Sequence, residues 1–291
     1  MNAEGDGIAG FFVDAYAGFL VVQVLSEEAL AETPRIEAAL DEVLAPRGIV
    51  RKLRYREDER GHVPEEVSRG ETPPEVLTVR EDGMPLGVSL LGGLHTGLFT
   101  DMREEHLRLR SLAEGRRVLN TFAYTGAFTV AAALGKAVQV TSVDVVGKVL
   151  ERAKRNLELA GADPSKHHFA RMEVLDYLRM AQRRRWRFDA VILDPPTFAT
   201  FRSGTWRLKS DYPELLDLAL SILETDGLLW IAANTESLPA ERFEKMIASA
   251  FARSGRRART LCVSGLPPDY PTPIERLEAR YLKVHVVQVL A

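Results

Sequence analysis

The sequence contains little cysteine, and its charges nearly balance. Cys262 is the sole cysteine in 291 residues, which excludes a disulfide framework or a cysteine-rich zinc site. The six histidines show no zinc-ligand spacing, so we expect no metal site. A formal net charge of −3 excludes the strongly basic coat of many nucleic-acid-binding proteins, although local basic patches remain. Since no apolar run reaches about 18 residues and MNAEGDG is unlike a signal peptide, we expect a cytoplasmic protein without membrane association.

Residues 1–105 predict a small α+β domain. The first apolar run predicts two strands around a turn at Ala17-Gly18. A helical stripe follows, with Thr33 as its predicted N-cap, and the Asp82-Gly83 pair between two apolar runs predicts a hairpin. The polar, proline-bearing segment 58–74 predicts an irregular loop.

Residues 106–291 predict a second, larger domain in which strands and helices alternate. Such alternation favours a mostly parallel sheet with helices on both faces. The last two strands have no helix between them, so we expect them to form an antiparallel hairpin that closes the edge of the sheet. The seven predicted strands span residues 117–120, 138–144, 168–173, 188–194, 227–233, 257–263 and 281–289.

The first two of these strands end in polar side chains that suit a nucleoside. Asp144 follows the second strand, where a carboxylate can accept both hydroxyls of a ribose. A pyrophosphate site requires G-x-G-x-x-G, but this loop has Gly126 alone. Asn120, Tyr124 and Thr125 suit a cofactor without phosphates, such as S-adenosylmethionine. The alternative is that Asp144 only caps the next helix and Gly126 only turns the chain.

A second motif, D-P-P-T-F, ends the fourth strand at residues 194–198. Two prolines fix the backbone and remove two donors. The Asp194 carboxylate and the Pro195 carbonyl can then accept hydrogen bonds from a flat base, on which Phe198 can stack. The alternative is a simple turn after a strand.

These motifs resemble the class I S-adenosylmethionine-dependent methyltransferases, and within them the family that methylates large-subunit ribosomal RNA, over nearly the whole chain. The family's N-x-F-x-Y-T-G loop matches residues 120–126, and its acid after the second strand matches Asp144. A carboxylate followed by valine after the third strand matches residues 173–174, although aspartate is commoner there than this glutamate. Upstream, the T-G-x-F-x-D-x-R segment matches residues 96–103, with Met102 where glutamine is usual.

The resemblance implies a Rossmann-like seven-stranded sheet and S-adenosylmethionine as cofactor. It implies that Arg103 pairs with the methionine carboxylate, while a surface ion pair at the start of a helix stays open as the alternative. The implied cofactor contacts are Thr96, Phe99, Arg103, Asn120, Tyr124, Thr125, Gly126, Asp144, Val145, Glu173, Val174 and Asp194.

The family divides by the atom that it methylates. Carbon 5 of cytosine is a poor nucleophile, so that branch first adds a cysteine thiolate to the ring. Its cysteine ends the strand after the D-P-P strand, where this chain has Ala233. Cys262 lies on a later strand, where we expect a buried small hydrophobe. The sequence therefore argues against the carbon-methylating mechanism.

A ring nitrogen needs only positioning. The guanine-N7 branch carries D-P-P-T-F and an asparagine after the fifth strand, which match Thr197 and Asn234. We expect methylation of a base nitrogen, with guanine N7 favoured and with Asp194, Pro195, Phe198 and Asn234 at the reacting base. Asn234 has the alternative role of a turn residue at a strand end.

Several basic segments favour an RNA partner, either 23S ribosomal RNA or its precursor. They are RRRWR at 183–187, RSGRRAR at 253–259 and the aromatic–basic stretch 197–212 with Phe201, Arg202, Trp206, Arg207 and Lys209. Solvated faces are the alternative. Many relatives begin with a small RNA-binding domain and this chain begins after it, so Arg51, Lys52, Arg54 and Arg56 are expected to substitute.

Two other functions stay open on the sequence alone. One is a methyltransferase for a small molecule or a protein side chain, and the other is a non-catalytic RNA-binding relative. A homodimer is also open.

Overall fold

A computed structural model describes residues 1–58, 62–200 and 205–290. The chain forms two compact units: residues 1–100 with 267–277, and residues 101–266 with 278–291. The domain boundary predicted between residues 105 and 106 divides the chain by function, and it stays a prediction.

The first unit is a small α+β fold. Its sheet has the order β1-β2-β3-β4, in which β2 and β3 are parallel and the other pairs antiparallel. The predicted turn at Ala17-Gly18 is confirmed, and its φ angles of 46° and 87° suit the tight turn that joins twisted strands. The elements are β1 Phe11–Tyr16, β2 Phe19–Val24, α1 Glu27–Leu44, β3 Gly48–Leu53, β4 Glu65–Gly70, β5 Leu77–Glu81 and β6 Met84–Val88.

The predicted start of α1 at Thr33 is wrong. The helix begins at Glu27, and the Ser26 side chain caps it by accepting a hydrogen bond from the Ala29 N–H at 3.2 Å. Thr33 lies inside the helix, where its hydroxyl donates to the Ala29 carbonyl. The preceding turns are rich in glutamate and alanine, which favour a helix, and they extend it past the expected cap.

The loop predicted for residues 58–74 is also wrong in part, because it contains β4. This strand pairs antiparallel with β3. It lies at the edge of its sheet and is mostly polar, so it lacks the apolar alternation that identifies a half-buried strand. The hairpin predicted at Asp82-Gly83 is confirmed as β5 and β6.

The second unit contains the predicted seven-stranded sheet, which confirms the α/β, Rossmann-like architecture. Its elements are α2 Arg103–Leu112, β7 Arg117–Thr121, α3 Ala127–Leu134, β8 Gln139–Asp144, α4 Gly147–Leu159, β9 His168–Arg171, α5 Val174–Arg183, β10 Phe188–Leu193, β11 Phe198–Thr200, β12 Thr205–Arg207, α6 Leu208–Ile222, β13 Leu223–Asn234, α7 Ala240–Ser254, β14 Ala258–Ser264 and β15 Leu282–Val289. Short 3-10 turns in the chain span Ala3–Asp6, Arg54–Arg56, Thr100–Met102, Pro164–Lys166 and Leu277–Ala279.

The order of the strands places a crevice at the middle of this sheet. The order is β14-β15-β13-β10-β7-β8-β9, and β15 is antiparallel to both of its neighbours. From β7 the chain proceeds through β8 to β9 on one side, then returns to β10 and β13 on the other. Ligands of open α/β sheets bind where the order reverses in this way, outside the carboxyl ends of the strands. The predicted antiparallel pairing of the last two strands is confirmed, but β15 lies inside the sheet and β14 forms its edge.

Two apolar cores hold the sheet in place. On one face, α5, α6 and α7 bury side chains such as Tyr212 and Phe243. On the other face, α2 and α3 cover Trp230, whose side chain is fully buried. Within the described residues, no helix is long and apolar enough to cross a membrane, and no cluster of three metal-ligating side chains occurs.

Candidate functional site

The loop between β7 and α3 has a strained backbone. Phe122, Tyr124 and Gly126 have φ angles of 51°, 48° and 82°, and such positive values are costly for residues other than glycine. Glycine is needed at 126 for a second reason, because a Cβ there would approach the Ala153 Cβ to 2.6 Å. The shape of this loop is therefore imposed by its surroundings.

Asp144 joins this loop to the next one. Its Oδ2 accepts a hydrogen bond from the Tyr124 N–H at 2.9 Å, and its Oδ1 accepts one from the Val146 N–H at 2.9 Å. A carboxylate has about four acceptor positions, so each oxygen keeps one for a further donor. Asp144 thus anchors two loops and can still accept the hydroxyls of a ribose.

Asn120 and Thr125 lie beneath the loop. Asn120 is 1% exposed, and its amide donates to the Thr129 hydroxyl at 3.0 Å. The buried Asn120 Oδ1 has no hydrogen-bond partner among the residues that the structure describes. The backbone carbonyl of Thr125, whose side chain is also buried, accepts from the Asn156 amide at 2.9 Å. Both residues shape the loop from below, and their contact with a cofactor stays a prediction.

The ends of β8 and β9 lie side by side. Asp144 pairs with Arg171, and its carbonyl accepts from the Met172 N–H at 3.1 Å. Glu173 is the next residue and occupies the N-cap position of α5, so this half-buried residue lies at the same edge of the sheet as Asp144.

Three other predicted cofactor residues flank these strand ends. Tyr124 and Val145 are half-buried, and burial raises the pKa of the Tyr124 hydroxyl. Val174 is buried in the apolar core that α5, α6 and α7 form with the sheet, so its structural role is packing.

Asp194 follows β10, the strand beside β7. Asp194 as a residue is half-buried, and its carboxyl is surrounded by so much protein that burial raises its pKa to about 7. The nearby Asp101 carboxyl raises that pKa further, and His106 opposes the shift. Desolvation and a like charge both disfavour the ionised form, so Asp194 titrates near neutral pH.

The residues after Asp194 form a platform with one exposed ring. The Trp206 indole donates to the Pro196 carbonyl at 2.7 Å, and Trp206 itself is 3% exposed against Phe122. Pro195 is buried. Phe198 lies on β11 with 59% of its surface exposed, which leaves its ring available for stacking.

The platform is tied to the end of β13. The Thr197 hydroxyl donates to the Asn234 backbone carbonyl at 2.7 Å. The half-buried Asn234 is the last residue of β13. The structure therefore brings together the four residues predicted at the reacting base, at the carboxyl ends of β10 and β13.

Asp101 and His106 are buried polar residues that lie close to Asp194, and a sequence motif signals only the first of them. Asp101 is 6% exposed; its Oδ2 accepts from the Tyr281 hydroxyl at 3.1 Å, and burial raises the pKa of its carboxyl. His106 is 3% exposed and packs edge-on against Phe128, with ring centroids 4.5 Å apart. Asp101 is the acid of the T-G-x-F-x-D-x-R segment, but no sequence motif indicates Tyr281 or His106.

The rest of that segment is divided between the two units. Thr96 is buried in the first unit, where its hydroxyl donates to the Tyr16 hydroxyl at 3.1 Å. Phe99 is 41% exposed in the same unit, near His95. Arg103 is half-buried and begins α2 of the second unit. Their cofactor contacts stay predictions.

The basic segments of the second unit lie at the wrong edge of the sheet for contact with a target base. Residues 183–187 precede β10 and residues 253–259 precede and begin β14, so both lie at the amino end of the parallel strands. Arg256 is also engaged, because it donates to the carbonyls of Leu220, Leu223 and Glu224 at the end of α6.

The remaining basic candidates differ in exposure. Lys52 is fully buried in the first unit beside Glu65, so its predicted RNA contact is wrong for a side chain in this position. Arg207 and Lys209 are exposed next to the platform. Phe201 and Arg202 lie outside the described residues.

This site fits S-adenosylmethionine better than a dinucleotide. Asp144 at the end of β8 suits a ribose, and the loop before α3 has no glycine series that would let backbone approach a pyrophosphate. The buried Asn120 Oδ1 and Asp101 Oδ1, which have no partner within the described chain, suit the N–H donors of such a cofactor.

Comparison with known proteins agrees with this fit. The family of S-adenosylmethionine-dependent methyltransferases matches residues 15–261. The chain is 35% identical to "Putative ribosomal RNA large subunit methyltransferase YwbD" of Bacillus subtilis and 34% identical to "Ribosomal RNA large subunit methyltransferase I" of Yersinia pestis. Each alignment covers 99% of this chain and 73% of the relative.

Solved structures give the same result. The crystal structure of SMU.776 complexed with SAH (S-adenosylhomocysteine) matches with a TM-score of 0.92 and 30% identity, over 99% of this chain and 74% of that one. The match to the tRNA m1G37 methyltransferase of M. jannaschii, at 16% identity and a TM-score of 0.65, concerns the fold alone. The chain therefore belongs to the S-adenosylmethionine-dependent methyltransferases and is an enzyme that uses this cofactor.

Proposed function

We propose that the protein methylates a base nitrogen of large-subunit ribosomal RNA, with N7 of guanine as the favoured atom. The RNA class is supported by the names of two relatives. The choice of atom rests on the end of β10, where Asp194, an acid with a pKa of about 7, precedes the exposed ring of Phe198. We assign the chemistry to residues 106–291 and place the protein in the cytoplasm with its substrate.

The position of Cys262 argues against covalent catalysis. Cys262 pairs with Val286 on β15, Val286 pairs with Trp230 on β13, and Trp230 pairs with Ile192 on β10. Neighbouring strands are about 4.8 Å apart, so three strand spacings, or about 14 Å, separate Cys262 from β10. Ala233, near the end of β13, has no nucleophile. A thiolate of this chain is therefore too far away to add to a base held at Asp194.

A guanine N7 needs no such nucleophile. Its lone pair lies in the plane of the ring and carries no proton, so the protein has to orient the base and exclude water. When bound in the site at Asp144, the cofactor would supply an electrophilic methyl group and would leave as neutral S-adenosylhomocysteine after transfer of that methyl group to N7. The methylated ring gains a positive charge. An ionised Asp194 beside the ring stabilises that charge, as electrostatic catalysis requires.

The platform after β10 supplies the orientation. Phe198 offers an exposed ring, and stacking on an aromatic side chain contributes about 1–3 kcal/mol per base. The Trp206 hydrogen bond to Pro196 and the Thr197 hydrogen bond to Asn234 fix the chain on both sides of that ring. We assign Asp194 to the edge of a flat base that stacks there.

The flanking RNA needs basic contacts at the same edge of the sheet. Arg207 and Lys209 follow the platform and are exposed, so they are the strongest phosphate-binding candidates. Residues 183–187 and 253–259 lie at the opposite edge, and we assign them no role at the target nucleotide.

The test is methylation of RNA that lacks the modification. RNA from a strain without the gene is incubated with the protein and isotope-labelled cofactor, digested to nucleosides and analysed by mass spectrometry. We expect labelled 7-methylguanosine with the wild type and almost none with Asp194→Ala. Labelled 5-methylcytidine that depends on Cys262 would contradict the proposal.

The other functions give other results in the same assay. If the cofactor binds but no nucleoside in any RNA is labelled, a small-molecule or protein substrate becomes the better hypothesis. RNA binding without any turnover would contradict the proposal that this RNA is the substrate. The acidic net charge of −3 is the observation that keeps the first of these in consideration.

A further inference from the structure

We propose that Asp101 binds the α-ammonium group of the methionine part of S-adenosylmethionine. The inference concerns the cofactor that the family uses, and it holds whichever atom of the substrate is methylated.

The first argument is the incomplete set of partners around the Asp101 carboxyl. The side chain is 6% exposed, and one oxygen accepts from the Tyr281 hydroxyl. The other oxygen, Oδ1, is buried and has no partner among residues 1–58, 62–200 and 205–290. A buried acceptor without a partner is costly. Burial also raises the pKa of this carboxyl, and the nearby His106 opposes that shift. A cationic donor from a ligand would satisfy the free oxygen and favour the ionised form.

The second argument is the place of Asp101 in the sheet. The Tyr281 carbonyl accepts from the Thr235 N–H at 2.9 Å, and Leu282 pairs with Asn234. Tyr281 therefore lies at the carboxyl end of β13, and β13 is the strand that neighbours β10. Asp101 is held by Tyr281 and lies close enough to Asp194 to raise its pKa. Asp101 is thus at the same edge of the sheet as Asp144, on the β10 side of β7.

The third argument is the order of the strands. We assign the ribose to Asp144, which ends β8. We assign the adenine to Glu173, which lies between β9 and α5. The sheet order β10-β7-β8-β9 then leaves the carboxyl ends of β7 and β10 for the other end of the cofactor. That end carries two cations, the sulfonium and the ammonium. The sulfonium has no N–H or O–H to donate, whereas an ammonium has three donors, so the ammonium fits the free Oδ1.

The test compares two ligands by calorimetry without RNA. The first is SAH, and the second is its analogue in which hydrogen replaces the α-amino group. We expect the wild type to bind SAH at least about tenfold more tightly than the analogue, because hydrogen bonds to charged groups are strong. Asp101→Asn keeps the shape of the side chain and loses its charge. It should bind SAH about tenfold more weakly while its affinity for the analogue stays within about twofold.

Tyr281→Phe is the matched control. It removes the hydroxyl that donates to Oδ2 but leaves the Asp101 carboxyl, so the preference for SAH should persist. An Asp101→Asn protein that keeps the full preference would overturn the proposal, because the ammonium would then be bound elsewhere. Equal weakening of both ligands would also overturn it, since it would make Asp101 a structural residue.

A crystal structure of the wild type with SAH decides the matter even if Asp101→Asn does not fold. The ammonium nitrogen should lie within hydrogen-bond distance of Asp101 Oδ1, at about 2.7–3.0 Å. A nitrogen beyond about 4 Å, with Asp101 and Asp194 sharing a proton instead, would rule the inference out. Because neither experiment contains RNA, their outcome leaves the proposed base-nitrogen chemistry untouched.

Discussion

Asp144 and Asp194 occupy similar places at the ends of parallel strands, but their surroundings differ. Both oxygens of Asp144 accept backbone N–H groups, from Tyr124 and from Val146. Asp194 receives no such donor from the described residues. Burial and the Asp101 carboxyl instead raise its pKa. The first acid is ready to accept neutral hydroxyls. The second gains stability only from a proton, a cation or a ring that becomes cationic, so the same side chain serves binding in one place and chemistry in the other.

The largest effect that tests this comparison is the loss of turnover in Asp194→Ala. We expect turnover to fall about 100-fold or more, as misplacement of a reacting group commonly does, while SAH affinity falls far less. Single-turnover kinetics and calorimetry measure the two quantities. Asp189→Ala, which changes an acid at the opposite end of β10 that pairs with Arg117, is the control and should keep its turnover. If affinity and turnover fall equally, Asp194 is a cofactor or structural residue.

The complementary change, Asp144→Ala, should act on cofactor binding. We expect SAH to bind at least about tenfold more weakly, since each hydrogen bond to a charged group contributes about 1.5–3 kcal/mol. The melting curve should stay cooperative. Asp144→Asn keeps one acceptor oxygen and should lose less affinity. Unchanged affinity in the alanine variant, or NADH binding of comparable strength, would contradict the assignment of Asp144 to the ribose.

The pH dependence of stability separates the two acids in a third way. Asp194 has a folded-state pKa of about 7 against an ordinary value of 3.8, so the folded protein holds this proton more tightly than the unfolded chain. The stability that this proton contributes is complete below the pKa of Asp194 in the unfolded chain, and it is lost as the pH rises through about 7. Asp194→Asn should therefore raise the melting temperature at pH 8 and change it little at pH 4. A lower melting temperature at pH 8 would contradict the raised pKa.

Turnover should respond to the same titration in the opposite sense. If the ionised acid stabilises the methylated ring, turnover rises with pH through about 7 and then levels off. A pH–rate profile of the wild type under single-turnover conditions measures this. A flat profile between pH 6 and about 8 would mean that ionisation of Asp194 does not limit the reaction.

The smallest expected effect is that of Cys262→Ser. Cys262 is half-buried on the edge strand β14, so the variant should keep turnover within severalfold and lose about 1 kcal/mol of stability. Covalent catalysis would give loss of turnover in the variant and a trapped adduct between the wild type and RNA that contains 5-fluorocytidine. Either result would mean that Cys262 on β14 takes part in the reaction, and it would contradict the assignment of the reaction to Asp194 at the end of β10.

The parts of the site that were predictable from the sequence are those in which a local pattern fixes position. Asp144 and Asp194 each follow an apolar run, and strand ends meet at one edge of a parallel sheet. The burial of Asn120 and Thr125 was not predictable, because it depends on Thr129 and Asn156 in neighbouring helices. Asp101 and Tyr281 are 180 residues apart, and only the tertiary fold brings them together. The sequence likewise contains no sign that residues 183–187 lie at the far edge, since that follows from strand direction.

The order β13-β15-β14 also constrains how the protein folds. Within the described residues, β14 pairs with β15 alone, and β15 pairs with β13 as well. Synthesis produces β14 before β15, and β14 has no partner in the sheet until β15 has formed. A folding chain therefore carries an unpaired strand with exposed Leu261 and Val263, which other chains can capture through its free edge. Tyr281 enters directly before β15, so the step that removes this aggregation hazard also supplies the hydroxyl partner of Asp101.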